Sequence, residues 1–360
     1  GLARSVDLYR RTESGILPPT TMPTLADEGS PVAQPVLLRG QPTRPGETVP
    51  RGFVPALSPS GVRMESTGSG RRELAELIAS DSNPLTARVM VNRVWQWVFG
   101  RGLVATPDDF GHLGDLPSHP ELLDRLASDF IADGWSVKRL VRRLVLTRAF
   151  RSAAAPTASA AERDPANRLL SHWSARRAEA EVIRDTLMAV SGRLDSRQFG
   201  PSVHPYREKA DPEKRLFTGP LDGDGRRSLY IKFQLMEAPH FLSAFNLPGG
   251  KVTQGRRDSS NVPAQSLAML NDPLVLQLAD LWAQRVIREG LAEPRERLRA
   301  MFEEALGRPP STDERARLDA LLDQLAQLHE VPAEQVSTSH ALWKDAGHAL
   351  FNLKEFIFIP

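Results

Sequence analysis

NPLTARVMVNRVWQWVFGRGLVATPDDFGHLGDLPSHPELLDRLASDFIADGWSVKRLVRRLVLTRAFR, residues 83–151, reads as three successive helices and sets the class of the chain. Asn83 before Pro84 is an N-cap followed by proline at the first helical position, and Gly100 is the matching stop. Ser118-His119-Pro120-Glu121 has the form of a capping box, in which the Ser118 and Glu121 side chains would satisfy each other's free amides. Behind it Leu122, Leu123, Leu126, Ala127, Phe130 and Ile131 make one apolar stripe at helical spacing, so a single face is buried. Gly134 ends that helix, and Ser136 opens the next, which runs to about Phe150.

Towards the C-terminus, Asp164-Pro165 opens a short helix and a longer one spans about 177–191 before Gly192. Residues 193–262 are poorer in helical signal and hold one predicted strand, Leu229 to Leu235, with Tyr230, Ile231 and Phe233 as β-formers. Helices resume at about 263–270, 273–289, 294–306, 312–329 and 340–356; Ser311 and Glu314 form a second capping box. Towards the N-terminus, prolines recur from Pro18 to Pro59, and proline neither donates a backbone hydrogen bond nor tolerates helix before it. An extended arm is expected there, with a short strand at 35–39 turning at Gly40 and a flexible junction at Ser66–Gly70. Its apolar residues Val36, Leu37, Leu38, Phe53 and Leu57 should pack on the helical body, since leaving each exposed forgoes ~1.5–3 kcal/mol.

The expected fold is therefore mainly α: a helical bundle body with a Pro-rich extended N-terminal arm and a small β element. The predicted segments are 1–70 (arm and linker), 71–192 (helical domain), 193–262 (irregular/β insertion) and 263–360 (C-terminal bundle).

Composition excludes more than it identifies. Of 360 residues, 41% are hydrophobic and 25% charged, so wholesale disorder is excluded. No apolar run is long enough for a transmembrane helix. Lys plus Arg is 46 against 44 acidic residues, a formal charge of +2, which is no nucleic-acid footprint. Zero cysteines exclude disulfides, thiolate metal sites, iron–sulfur clusters and covalent haem attachment to this chain. Seven of the 46 basic residues are Lys and the other 39 Arg. Either genomic base composition or a use for partly buried, bidentate guanidinium groups accounts for that skew. The chain starts Gly1-Leu2-Ala3, as expected of a fragment or processed product.

The 83–151 run resembles the planctomycete-type domain of unknown function found in exported proteins alongside planctomycete c-type cytochrome domains. VLLRGQPTRPGETVPRGF (36–53), DPANRLL (164–170), AEAEVIRDTLMAVSGRL (178–194), RRSLYI (226–231), PAQSLAMLNDP (263–273) and ALGRPPSTDE (305–314) agree in order. Two places depart from that pattern: Asn246 stands for an Asp, and Arg257-Asp258-Ser259-Ser260 for a Thr-rich stretch. The resemblance implies export to the periplasm or cell surface, a setting of complex-polysaccharide degradation, and a neighbour bearing haem. No cofactor is expected in this chain itself.

None of the eight His forms H-E-x-x-H or an i, i+4 pair, so no metal site is expected. There is no G-x-S-x-G elbow, S-x-x-K or phosphate loop. Asp108-Asp109 sit in a turn between helices, and His119 stands at a helix start, where amides favour anions. Glu181, Arg184 and Asp185 have helical spacing for mutual ion pairing. Arg39, Arg44, Arg93, Arg184 and Arg227 either clamp carboxylates and carbonyls or line an anion pocket. The candidate ligand-binding set is Arg39, Arg44, Asp109, His119, Arg184, Asp185 and Arg227, gathered where the 108–121 turn would meet the arm and the 177–191 helix.

Two functions follow as expectations. One is an accessory or catalytic module of a cytochrome-associated system acting on complex or acidic carbohydrates. The other is a non-catalytic module that docks a haem domain or another protein. A concave pocket with convergent, perturbed charges favours the first; an exposed apolar patch with a polar rim favours the second.

Overall fold

The computed structural model describes residues 2–15, 24–27, 32–57, 64, 68–234, 237–290 and 293–359. It is mainly α-helical, with two small two-stranded antiparallel sheets among the described residues. The chain divides into two compact units, Pro19–Ser174 and a second formed by Gly1–Pro18 with Ala175–Pro360. The division falls between Ser174 and Ala175. The N-terminal residues, expected as extended chain, include a helix, α1 (Leu2–Gly15), which lies against the turn Pro212–Lys214 of its own unit. No proline precedes Pro18, so residues 2–15 keep every amide a helix needs.

In the Pro19–Ser174 unit, β1 (Pro35–Leu37) pairs antiparallel with β2 (Pro45–Thr48), and Gly40 turns the chain at φ 72°. Val36, Leu37 and Leu38 are 48%, 42% and 53% exposed, so this ribbon does not bury its apolar residues as expected. Phe53 and Leu57, further along the arm, are half-buried, and the arm is also tied by charge: the Asp27 carboxylate accepts from the Ser69 amide at 2.9 Å and from the Arg71 guanidinium, at the start of α2 (Arg71–Ile78). Residues 66–67 of the expected junction lie outside the described residues.

α3 (Thr86–Phe99) packs on α4 (Pro120–Ala132) and α5 (Val137–Val145) around Val91, Trp95, Phe99, Leu123, Leu126, Phe130, Leu140 and Leu144. Gly100 stops α3 in the left-handed region at φ 86°, and Ser136 Oγ caps α5 by accepting from the Arg139 amide. Asn83 does its capping one step early, accepting from the Leu85 amide at 3.0 Å. The box expected at Ser118 and Glu121 does not form. His119 is the N-cap residue, and Ser118 Oγ pairs with His119 Nδ1 at 3.0 Å. The short helix is α6 (Ala158–Arg163), and Asp164 ends it where it was expected to begin one.

In the other unit, β3 (Arg176–Arg177) pairs with β4 (Phe358–Ile359) and ties the start of the second segment to its end. α7 (Ala180–Val190) buries Ile183, Leu187 and Met188 in the same core as α10 (Pro273–Glu289) and α13 (His340–Phe351), which is why it leaves the preceding helices. α8 (His240–Ala244), α9 (Pro263–Asn271), α11 (Pro294–Leu306) and α12 (Thr312–Leu328) complete the unit. Trp282 of α10 stacks on Phe351 of α13 with ring centroids 5.0 Å apart. The Ser311–Glu314 box is present as read.

Between α7 and α8 the chain is irregular. The strand expected from Leu229 is a 3-10 turn, Ser228–Tyr230, flanked by isolated bridges Val203–Ile231 and Gln234–Glu237; Leu235 is outside the described residues. Arginine side chains take the carbonyls that a sheet partner would otherwise hold. Arg226 donates to Arg197 O and Phe199 O with its guanidinium 3.9 Å from the Tyr230 ring centroid.

Candidate functional site

Arg184 and Asp185, consecutive on α7, grip one stretch of this coil from two sides. Arg184 Nη1 donates to Arg226 O at 3.0 Å and Ser228 Oγ at 3.2 Å, and Nη2 to Asp222 O at 2.6 Å. Asp185 accepts from the Ser228 amide at 2.7 Å and from Arg227 Nε at 3.2 Å. Arg184 and Asp185 themselves stand 3.7 Å apart. Burial lowers the Arg184 pKa, an effect opposed by Asp185 and Asp222. Buried and donating to two carbonyls and a hydroxyl, with Asp185 and Asp222 beside it, Arg184 is a positioning group: it fixes residues 222–228 and leaves Arg227 on the surface.

Arg227 lies on the wall of a cleft of about 830 Å³. The same cleft is lined by Glu179, Glu181, Asp185 and Arg257, over an apolar floor that includes Leu229 and Phe233. Arg257 reaches Glu181 through both its terminal nitrogens, at 2.5 and 3.0 Å, and Glu179 at 3.2 Å. Glu179 and Glu181 therefore share one guanidinium. Burial raises the Glu179 carboxyl above its ordinary value; Arg257 and Arg176 oppose this and Glu181 adds to it. Two acids in one concave site, one of them held towards its protonated form, can divide proton donation from charge stabilisation.

The expected set of site residues is only partly brought together. Arg184, Asp185 and Arg227 meet as described. Arg39, Arg44, Asp109 and His119 belong to the Pro19–Ser174 unit. There Arg39 occupies the hairpin turn at φ 53°, exposed like Arg44. Asp109 Oδ1 accepts from the Gly111 amide at 2.8 Å and closes a turn, and Arg93 lies 3.5 Å from Asp108. His119 lines a separate pocket of that unit.

Glu181 has helical spacing to Arg184, yet its carboxylate holds Arg257 from a distant loop, and Glu179 and Arg257 were not candidates from sequence. One signal did point there. The two departures from the family pattern touch: Asn246 Oδ1 accepts from Ser260 N at 3.2 Å, Ser260 Oγ at 2.9 Å and Arg177 Nη2 at 2.8 Å. That contact anchors the end of the loop carrying Arg257.

Residues 70–322 match the family described as PSD1, protein of unknown function (DUF1553). The protein belongs to this family. No curated protein and no solved structure matches it. The match covers the cleft of this family member in full, from Glu179 through Arg227 to Arg257. Among its described residues, no three His, Asp or Glu stand together as metal ligands, and no helix is long and apolar enough to cross a membrane.

Proposed function

We propose that the protein binds and acts on an acidic carbohydrate in the cleft beside α7, as an exported module working with a c-type cytochrome domain or related exported protein that carries haem. The observation supporting the first part is the convergence of Glu179, Glu181, Asp185, Arg227 and Arg257 above exposed Leu229 and Phe233. Sugar hydroxyls bond in pairs to carboxylates and guanidinium groups, and the C–H faces of a sugar ring pack on an aromatic such as Phe233. Arg227, whose side chain is 55% exposed, offers its free edge to a carboxylate or sulfate substituent. Glu179 is the proton donor in this reading, and Glu181 its charged neighbour. Export, the planctomycete setting and the haem-bearing partner rest on the resemblance of the quoted sequence strings.

Titration calorimetry of the whole chain with an oligogalacturonate and with its methyl-esterified, neutral form tests the reading. The acidic form should bind and the neutral form should bind at least tenfold more weakly. Arg227→Ala should lose most of that preference, Phe233→Ala should weaken both ligands, and Glu179→Gln should bind normally while losing any cleavage of the chain. Absence of binding by both forms rejects the proposal. The second expected role, docking of another protein, is favoured by a different feature: bare leucines on the Pro19–Ser174 unit.

A further inference from the structure

We infer that the pocket around His119 in the Pro19–Ser174 unit docks a segment of another protein in which acidic residues alternate with leucine or aromatic ones. This goes beyond the carbohydrate reading and does not depend on it. The pocket measures about 560 Å³ and is lined on its apolar side by Trp95, Leu103, Leu116, Leu122, Leu169 and Leu170. Leu116 and Leu169 are 88% and 69% exposed, and the neighbouring Leu113 is 91% exposed. Single exposed leucines are ordinary, but Leu116 and Leu169 line one concavity, with Leu113 close by in sequence, and such grouping is characteristic of an interaction surface.

Their exposure does not come from loose chain. Asn92, fully buried, donates to Val104 O at 3.0 Å and accepts from Val104 N at 2.9 Å. Thr106 Oγ1 accepts from the Asp115 amide at 2.9 Å, and the Ser118 amide donates to Leu103 O at 2.8 Å, so Leu116 is held between two fixed points. On the other wall Asp164 accepts from the amides of Arg168 at 3.0 Å and Leu169 at 2.7 Å, and Leu170 is kept at φ 52°. The leucines are preorganised for contact, which spares a partner the ordering cost of binding.

Charge selects the partner. Arg101, Arg168 and His119 line the pocket with Asp115 as the one carboxylate among the described lining residues. Asp164, which anchors the 168–169 amides, interacts electrostatically with Arg168. Ser118 Oγ occupies His119 Nδ1 and leaves Nε2 as the ring's remaining polar atom. An apolar pocket lined by two guanidinium groups against one carboxylate fits an acidic partner and repels a basic one.

The test is fluorescence anisotropy of the full chain with a labelled twelve-residue peptide of interleaved Leu and Glu, and with the same peptide carrying Lys in place of every Glu. The Glu peptide should bind at least tenfold more tightly, with an advantage that shrinks as salt is added. Leu116→Ser with Leu169→Ser should weaken it tenfold or more, and Arg101→Glu with Arg168→Glu should reverse the preference to the Lys peptide. All four side chains are exposed, so an unchanged melting temperature keeps these variants interpretable. Equal binding of the two peptides, or binding indifferent to both double variants, overturns the inference. So does self-association of the chain that the leucine variant abolishes, since it would assign this face to a second copy.

Discussion

Both units fix long irregular loops with buried side chains, but they use different ones. In the unit holding the cleft the pins are arginines: Arg184, Arg207 and Arg226 are only 4%, 5% and 2% exposed. Arg207 donates to Phe217 O, Gln234 Oε1, Glu237 Oε1 and Glu237 O, and Arg184 and Arg226 hold the carbonyls named above. In the Pro19–Ser174 unit the pins are asparagines, Asn83, Asn92 and Asn167, at 6%, 0% and 8%. Asn167 donates to His172 O and Ser174 Oγ and accepts from the Ser171 amide, and Asn83 joins the end of α2 to the start of α3.

The difference has consequences for chemistry. A guanidinium spans several carbonyls at once, but it carries a charge that must be balanced when buried. Carboxylates accordingly gather round it: Asp185 and Asp222 by Arg184, Glu237 by Arg207, and Asp195 at 3.9 Å from Arg226. A region held in this way is rich in fixed charge, the setting of the α7 cleft. An asparagine supplies one donor group and one acceptor with no charge to balance. Loops held by amides can present bare leucines without a counter-ion network, and the His119 pocket does so.

The comparison is broken most directly at Arg184. Arg184→Met should cost about 3–5 kcal/mol, because three buried oxygens lose their donors and Asp222 and Asp185 lose a buried cation. Arg184→Lys should rescue little of this, since one ammonium cannot reach the span of a planar fork. Urea unfolding reads the loss, and amide exchange should quicken over 222–228; a cost below about 1 kcal/mol would show that arginine pinning is dispensable. Asn92→Ala comes next at about 2 kcal/mol, as both the donor and the acceptor on Val104 are left unpaired. Its exchange signature should be confined to residues 101–106. Should Asn92→Ala exceed Arg184→Met, the proposed ordering of the two kinds of pin is reversed.

Legibility from sequence follows the same line. Helices punctuated by local signals were readable: α12 behind Ser311, α3 before Gly100. Caps are contacts between near neighbours, and near neighbours are what a sequence displays. The 229–235 strand failed because Arg184 and Arg226 reach across 42 and 29 residues, respectively, to hold the chain in another shape. Of the site, Arg184, Asp185 and Arg227 were found because they lie in dense, family-like strings. Arg257 reaches Glu181 over 76 residues of separation, and no spacing rule anticipates that pair. His119 was read correctly as a residue at a helix start, but the site it was assigned to also took in Arg184, Asp185 and Arg227 of the other unit.

The smallest expected effect is also the one that separates the two kinds of pin by pH. His204 lies in the arginine-held coil, edge-on to Phe217 with ring centroids 5.4 Å apart. Its Nδ1 is buried without a hydrogen-bond partner among the described residues. Burial lowers its pKa below the ordinary 6.5, and the nearby Lys232 and Arg207 lower it further. In the unfolded chain the imidazole takes up a proton near its ordinary value, while in the folded unit it stays neutral to lower pH. The unfolded state therefore binds more protons over that interval, and stability falls as pH drops through about 6.5 towards the folded value. His204→Phe removes the titrating group and keeps the ring contact with Phe217. The variant should melt at or above the parent at pH 5, with a smaller gap between them at pH 8, and its melting temperature should decline less over that range. Exchange of amides near 203–219 should lose its acid sensitivity together with the melting shift, while amides of 101–106, held by Asn92, should respond to pH alike in both proteins. Parallel melting curves for parent and variant from pH 8 to pH 5 would remove His204 as a source of acid sensitivity in the arginine-held coil.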